Sequence, residues 1–504
     1  MKDRPNIVFL FSDQHAQKVM GCYGDALSPT PNLDRLAARG VVFDNAYCAA
    51  PICTPSRMAL LTGRWPHEQS CWTLEDYLAS DLPTYAHALG AAGYKTIQVG
   101  RMHSVGPDQH HGFSERILGE AGPSWLGVAR QKLGVLTGAQ GPAGPDPDSP
   151  DGTAISITRS GPGQSGYEVV DDAITEAALT RIDALAASRE AGDDTPFMLG
   201  IGFVLPHCPF VARKEDYERF EGKVGLPTIP RADPSNEHPW ITKWREYAHI
   251  DHPADADVIR ARTAYYGLVH ALDRKIGRIL DRLEETGLGE NTIIVYASDH
   301  GEQIGERDLW WKNTFFEESV KVPLIVAWPG VLPEGEHRAN VTNLIDIGAT
   351  FIAAAQAPAL PRSRGRSLLD IAGDPQAPWL DETFSEYVTD LSSPWTGPEM
   401  LCQRMLRHGR YKYVHMDGYR PQLFDLEADP QETNDLGADP AHAGLIAWCA
   451  ERVLAGWDPD AIRREVAARC AEKAILRDWG KATQPISSAQ VLIEDSDSWL
   501  DPRP

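Results

Sequence analysis

The stretch NIVFLFSDQ, residues 6–14, decides the type of fold, because its apolar centre gives way abruptly to polar residues. Residues 6–12, NIVFLFS, are apolar on both faces and are predicted to form a central strand covered by helices on both sides. Four further segments are predicted strands: KTIQVG (95–100), FMLGIGFVL (197–205), NTIIVYAS (291–298) and VPLIVAW (322–328). Since amphipathic helical segments alternate with them, the sequence predicts an α/β fold with a large, mostly parallel sheet.

Two of the predicted helices have recognisable ends. TPNLDRLAARG (30–40) is predicted to have Thr30 as its N-cap, Pro31 in its first turn and Gly40 as its stop. A long helix is predicted at about 260–287, and it also ends in glycine.

The C-terminal part of the chain has a different pattern. YKYVHM followed by QLFDLEAD, within 410–436, predicts an antiparallel hairpin. We therefore predict a catalytic domain over residues 1–374, with a loop-rich insertion at 119–166, and a smaller α+β subdomain over 375–504. The tail from about 480 lacks helical periodicity and is predicted to dock on a neighbouring subunit of a homo-oligomer.

Composition limits the partners. The 504 residues carry a formal net charge of 48 − 71 = −23, which disfavours nucleic acid and acidic membrane surfaces. Residues 1–12 lack the pattern of a signal peptide, and no segment approaches the roughly 20 apolar residues of a membrane span. The eight cysteines are scattered without a CxxC pattern, so we expect a cytoplasmic protein with free thiols and no membrane partner.

Polar residues follow two of the predicted strands. Asp13 and Gln14 follow the first strand, and Asp299 and His300 follow the strand 291–298. Because the carboxyl ends of parallel strands meet at one edge of a sheet, these side chains could together hold Ca²⁺, Mn²⁺ or Mg²⁺. The alternative is that they only form turns.

The segment CTPSRMALLTGR, residues 53–64, places a cysteine at the start of a predicted helix. The helix dipole and free N–H groups would favour an anion beside Cys53, and Arg57, one turn later, would add a cation that can bind an oxyanion. These residues suit a thiolate nucleophile. They are also compatible with a structural cysteine beside a surface arginine.

The same segment resembles the signature of the sulfatase family, C-x-P-S-R followed by x₄-T-G-R. Further matching segments occur in the family's usual order over about residues 5–436: NIVFLFSDQ, TPNLDRLAARGVVFDNAY, VGRMHSVGPDQHHGF, LPHCPF, YASDHGEQIGERDLWWKNTFFEESVKVPLIV and LFDLEADPQETNDL. Asp-Gln at 13–14, Asp-His at 299–300 and the phrase GPDQHHGF are most similar to the choline-sulfatase branch.

The resemblance implies an alkaline-phosphatase-like fold and hydrolysis of a small organic sulfate ester. A maturation enzyme would convert Cys53 to formylglycine, whose hydrated aldehyde attacks sulfur, and a divalent ion, expected to be Ca²⁺, would activate it. The implied metal ligands are Asp13, Gln14, Asp299 and His300, and the other implied catalytic residues are Arg57, His103, His207 and Lys312. His103 matches the base that regenerates the aldehyde, whereas His207 and Lys312 match groups that bind sulfate and protonate the leaving oxygen.

One position departs from the family pattern. Arg101 stands where the family usually has lysine, and we expect it to bind sulfate oxygens, because arginine keeps the charge but cannot donate a proton. Trp311, next to Lys312, is a second candidate for substrate binding, with core packing as its alternative. Glu302 and Glu306 are expected either to contact a cationic alcohol or to face water.

Two other functions compete with sulfate ester hydrolysis. Phosphonate monoester or phosphodiester hydrolases of the same superfamily share the fold, the modified residue and the metal set. A catalytically silent binding protein would keep the fold without the chemistry.

Overall fold

The computed structural model describes residues 4–128, 133–233, 236–251, 253–389, 399–487 and 490–501. The strands are β1 Asn6–Ser12, β2 Val41–Tyr47, β3 Lys95–Gly100, β4 Glu115–Ile117, β5 Gly161–Gln164, β6 Phe197–Gly202, β7 Val211–Ala212, β8 Thr292–Ser298, β9 Leu324–Ala327, β10 Glu336–Asn343, β11 Glu382–Val388, β12 Cys402–His408, β13 Tyr411–Met416, β14 Gln422–Asp425 and β15 Trp499–Leu500. The α-helices are α1 Pro31–Ala37, α2 Cys53–Thr62, α3 Tyr85–Ala91, α4 Ile155–Thr158, α5 Gly166–Glu190, α6 Lys214–Glu218, α7 Pro239–Ala248, α8 Asp255–Glu285, α9 Glu317–Val320, α10 Ile345–Ala355, α11 Leu369–Gly373, α12 Ala443–Leu454 and α13 Pro459–Thr483.

The main sheet has eight strands in the order β10-β2-β9-β8-β1-β6-β3-β4. Every neighbouring pair is parallel except the two that involve β9. All residues of β1, β6, β8 and β9 are buried, as expected for strands with helices on both faces. The predicted α/β fold with a mostly parallel sheet is confirmed.

The helices form the layers that cover this sheet. Helices α1 and α5 pack against α8, whereas α2 and α3 pack against α10. The predicted long helix is present as α8. Thr30 is the N-cap residue of α1 and Pro31 its first residue, as predicted, whereas the helix ends at Ala37, three residues before the predicted stop at Gly40. The Thr30 hydroxyl accepts no hydrogen bond from the helix; it accepts one from the Gly21 N–H at 3.0 Å and donates to Asp34 at 3.2 Å.

A second sheet lies in the C-terminal part, with the antiparallel order β11-β12-β13-β14. It contains the predicted hairpin, formed by β13 and β14. Helices α12 and α13 follow it, so the predicted α+β character of this region is confirmed. The boundary at residue 374 stays a prediction; the sheet itself begins at Glu382.

The tail has partners within its own chain, and its docking on a neighbouring subunit stays a prediction. Trp499 and Leu500 pair with β5, inside the 119–166 insertion. The N–H of Val491 donates to the Glu120 carbonyl at 2.9 Å, and the N–H of Ser124 donates to the Ser487 hydroxyl at 2.9 Å. Because the tail finds its partners in the insertion, it supplies no argument for a homo-oligomer, which stays a prediction.

All eight cysteines are free thiols, as expected from their spacing. Among the residues that the structure describes, no helix is both long and apolar enough to cross a membrane.

Candidate active site

Four adjacent strands of the main sheet, β8, β1, β6 and β3, end at one edge. Ser12 lies opposite Ser298 in the β1–β8 pair, and Gly100 lies opposite Gly202 in the β3–β6 pair. The segments that follow these strands carry most of the residues that the sequence singled out: Asp13 and Gln14, Asp299 and His300, Arg101 and His103, and His207. Asp13 and His300 follow neighbouring strands whose last residues are paired, so the register of the sheet brings together residues that are 287 positions apart in the sequence.

Arg57 connects two of these strand ends. Its Nε donates to Oδ2 of Asp299 at 2.8 Å, and its Nη2 donates to Oδ2 of Asp13 at 3.0 Å. All three side chains are fully buried. Burial alone would raise the pKa of Asp13, but the charges of Arg101 and Arg57 hold that pKa well below its usual value. The Asp13 carboxylate therefore stays ionised inside the protein.

Cys53 is the first residue of α2 and faces the same carboxylates. Its Sγ lies 3.1 Å from Nε2 of His300 and 3.6 Å from Oδ1 of Asp13. Burial and the negative charge of Asp13 raise the pKa of Cys53 to about 12. An unmodified thiol at this position is therefore protonated at neutral pH, which counts against the thiolate nucleophile that the sequence left open.

The donor set around Cys53 suits a divalent cation. One ligand atom from each of Asp13, Cys53, Asp299 and His300 can be chosen so that all lie within 4.8 Å of one another. Nδ1 of His300 lies 3.0 Å from the Gly301 carbonyl, to which it can donate, so Nε2 turns a lone pair toward Asp13 at 3.8 Å and Asp299 at 3.6 Å. Burial lowers the pKa of His300 to about 4, so its imidazole is neutral. Two carboxylates and an imidazole lone pair that face one another fit a positive ion between them.

Gln14, the fourth predicted metal ligand, is fully buried beside this cluster. Its main-chain N–H donates to Oδ1 of Asp299 at 3.0 Å, and its side-chain Oε1 accepts from Nζ of Lys312 at 2.5 Å. The structure therefore places Gln14 between the predicted metal centre and Lys312. Its role as a ligand stays a prediction.

Lys312 and His207 form a pair at this site. Nζ of Lys312 lies 3.1 Å from Nε2 of His207, and Nδ1 of His207 lies 2.6 Å from the Cys208 carbonyl. Burial and the Lys312 charge lower the pKa of His207 well below its ordinary value. The Lys312 ammonium group can therefore donate a proton, and the neutral His207 imidazole beside it can accept one.

Arg101 and His103 form a second pair on the other side of Asp13. Nε of Arg101 donates to Oδ2 of Asp13 at 2.8 Å, while its Nη2 lies 2.9 Å from Nδ1 of His103. His103 has a backbone φ of 58°, and it is half-buried. Burial and the charge of Arg101 lower the pKa of His103 well below its ordinary value, so the imidazole is neutral.

The comparison with known proteins decides the family. The family model for sulfatases matches residues 5–357, well over half of the chain. The chain belongs to the sulfatase family. This sulfatase also matches, over residues 305–455, the family model for the C-terminal part of N-sulphoglucosamine sulphohydrolase. Family membership confirms the predicted reaction class: the chain is a sulfuric ester hydrolase, which splits an organic sulfate ester into an alcohol and inorganic sulfate.

Relatives of the sulfatase cover nearly its full length. It is 32% identical over 496 residues to the choline-sulfatase of Rhizobium meliloti strain 1021, with 92% of this chain and 90% of the relative covered. It is 28% identical to the arylsulfatase of Clostridium perfringens, with 86% and 90% covered. The solved phosphonate monoester hydrolase from Silicibacter pomeroyi has the same fold, with a TM-score of 0.70, 24% identity, and 90% and 95% of the two chains covered.

For three side chains the structure separates the alternatives that the sequence left open. Trp311 is fully buried in the hydrophobic core, and its contribution to the site is its main-chain N–H, which donates to Glu302 at 2.6 Å; substrate binding by its ring stays a prediction. Glu302 and Glu306 are both buried, so neither faces water. Glu306 accepts main-chain hydrogen bonds from Thr228 and Ile229.

Two residues at the site were not singled out as contributors to it. Glu302 was expected to contact a cationic alcohol or to face water, yet its carboxylate accepts a hydrogen bond from the Gln14 amide. Tyr265, in the middle of α8, donates its hydroxyl to the Gln14 carbonyl at 2.7 Å. The position of Glu302 directly after DHG was an available signal, whereas nothing near Tyr265 in the sequence connects it to Gln14.

Proposed function

We propose that this sulfatase works with formylglycine made from Cys53 by a maturation enzyme, and that Asp13, Gln14, Asp299 and His300 bind one divalent ion, with Ca²⁺ as the first candidate. The observation that carries the proposal is the convergence of Cys53 on Asp13 and His300, with Arg57 between the two carboxylates. When present, the ion lowers the pKa of the hydrated aldehyde at position 53 and offsets the charge of the sulfate.

The surrounding residues divide the remaining work. Arg101 and Lys312 are cations beside Asp13 and Gln14, which suits them to hold sulfate oxygens. The oxygen of one hydroxyl at position 53 bonds to sulfur as the bond from sulfur to the alcohol oxygen breaks, and Lys312 and His207 deliver a proton to that alcohol oxygen. His103 then takes the proton of the second hydroxyl at position 53, so that sulfate departs and the aldehyde is restored.

We propose a small organic sulfate ester as the substrate, acted on in the cytoplasm. The relative named choline-sulfatase supports a small alcohol as the leaving group. The second candidate, hydrolysis of a phosphonate monoester or phosphodiester, has support from the shared fold alone.

A substrate panel tests the proposal. We expect kcat/KM to be higher for choline sulfate and an aryl sulfate than for a phosphodiester and a phosphonate monoester, in protein purified from a host that matures sulfatases. The Cys53→Ala variant, as the matched control, should lose all four activities. A phosphonate or phosphodiester preference would overturn the proposed substrate class, and an active Cys53→Ala variant would overturn the role of position 53.

A further inference from the structure

We propose that Glu302 is a positioning residue, which fixes the side-chain amide of Gln14 so that its oxygen stays directed at Lys312. The proposal rests on the function proposed above, because it assigns a purpose to the Gln14–Lys312 contact. It concerns a side chain that is fully buried and is hydrogen-bonded to the Gln14 amide.

The Glu302 carboxylate has three donors around it. Oε1 accepts from the main-chain N–H of Ile304 at 2.8 Å and from that of Trp311 at 2.6 Å. Oε2 accepts from Nε2 of Gln14. Glu302 therefore joins the loop after β8, the loop that carries Lys312, and the residue after Asp13.

The identity of these groups permits a single orientation of the Gln14 amide. The ammonium group of Lys312 only donates, so it must face an acceptor, and both N–H bonds of the Gln14 amide lie on its NH₂ group. The amide of Gln14 lies between Glu302 and Lys312, so its NH₂ must face Glu302 and its oxygen must face Lys312. The orientation of an amide is usually ambiguous, but here the Lys312 ammonium determines it.

The main chain of Gln14 is held independently. Gln14 has a φ of 67°, a left-handed conformation that is uncommon for a residue with a side chain. The Tyr265 hydroxyl donates to its carbonyl at 2.7 Å and accepts from the N–H of Ala16 at 2.8 Å. With the backbone fixed in this way, the remaining freedom of Gln14 is its side chain, and Glu302 removes it.

Two substitutions and their combination test this assignment. In Glu302→Gln, the new Oε1 is needed by the N–H groups of Ile304 and Trp311, so the new NH₂ faces the NH₂ of Gln14. In Gln14→Glu, two carboxylates face each other. In the double variant, the Gln at 302 donates to the Glu at 14, whose other oxygen still accepts from Lys312, and the total charge equals that of the unchanged protein.

We expect each single variant to lose on the order of 10–100-fold in kcat/KM, because a buried donor or acceptor loses its partner. The loss in Glu302→Gln should be larger for an alkyl sulfate than for an aryl sulfate, because the displaced Lys312 helps to protonate a poor leaving group. The double variant should exceed both single variants, and a role of Glu302 in general stability would not produce that rescue. Glu306→Gln, which removes a buried carboxylate of the same loop without touching Gln14, should retain the wild-type ratio between the two substrates.

Melting temperature and calorimetric titration of the chelator-treated protein with Ca²⁺ supply readouts that do not depend on turnover. Recovery of the melting temperature in the double variant supports the proposal even if a single variant folds poorly, whereas Ca²⁺ binding is compared between wild type and Glu302→Gln, which leaves the predicted ligands unchanged. A double variant that is no better than the worse single variant in every readout overturns it. A wild-type protein without sulfatase turnover would instead refute the proposed function, while the melting and binding data would still test the pair.

Discussion

Arg57 and Asp299 form an ion pair in which both side chains are fully buried, with Nε of the arginine 2.8 Å from Oδ2 of the aspartate. The same guanidinium reaches Asp13 on the neighbouring strand, so one cation serves two carboxylates. Both carboxylates also face His300, so Arg57 fixes the two negative charges beside the imidazole, where a divalent ion would bind.

Replacement of Arg57 by methionine should destabilise the fold. Removal of one partner of a buried ion pair costs about 3–5 kcal/mol, because the other charge is left without compensation. We expect a loss of this size in chemical denaturation of the chelator-treated protein, with partial recovery when a divalent ion is added. The control is Arg35→Met, which breaks an exposed ion pair with Asp281 and should cost less than about 1 kcal/mol. Equal losses in the two variants would contradict the account.

Removal of the metal should affect both stability and activity. Without a cation, the Asp13 and Asp299 carboxylates and the His300 lone pair face one another. Chelation should therefore lower the melting temperature and abolish turnover, and re-addition of Ca²⁺, Mn²⁺ or Mg²⁺ should restore both. An ion at about 100 times its Kd stabilises the fold by about 2.7 kcal/mol. Full activity after exhaustive chelation would refute the predicted metal centre.

Lys312→Ala should lose activity in a manner that depends on the leaving group. Its Nζ lies between Gln14 and His207, so its loss removes both sulfate binding and support for proton delivery. We expect kcat/KM for an alkyl sulfate to fall by about 10²–10⁴-fold. An aryl sulfate with an acidic phenol should lose less, and an equal loss for both esters would show that Lys312 takes no part in protonation.

Arg101 should control the acid side of the pH profile. His103 must be neutral to accept a proton, and burial together with the Arg101 charge lowers its pKa well below 6.5, so the acid limb of kcat/KM should lie below pH 6.5. Arg101→Gln removes the cation, which raises the pKa of His103 and should shift this limb to higher pH by about 1 unit.

Arg101→Lys is the matched control for that shift. It keeps the charge, so its acid limb should move less, although one ammonium group cannot reproduce the two separate contacts to Asp13 and His103. An acid limb that stays unchanged in Arg101→Gln would exclude His103 as the group that titrates.

The sequence predicted the parts of the fold that local patterns determine. Strand β1 was predicted with its observed bounds, 6–12, because a continuous apolar run with a polar end has one interpretation. The edge of the sheet then followed from topology, so Asp13 and Asp299 could be predicted as neighbours from the sequence. His103, His207 and Lys312 were predicted as catalytic residues from the resemblance to the sulfatases, because their spacing in the sequence does not by itself indicate a site.

The features that were missed depend on distant contacts. Glu302 and Tyr265 both hold Gln14, but their contacts cross 288 and 251 positions of the chain. The tail lacks periodicity, so its pairing with β5 and its hydrogen bond to Glu120 could not be predicted from the sequence. Thr30 is the N-cap residue of α1, as predicted, but its hydroxyl accepts from the Gly21 N–H and not from the helix.

The mass of the peptide that trypsin releases between Arg39 and Arg57, residues 40–57, tests the central claim most directly. This peptide contains Cys53 and also Cys48, a buried cysteine that serves as an internal control. After denaturation and alkylation of enzyme with sulfatase turnover, the account predicts one alkylated cysteine, Cys48, and an aldehyde at position 53, in a fraction that follows kcat across preparations. Alkylation of both cysteines in a fully active preparation would contradict it.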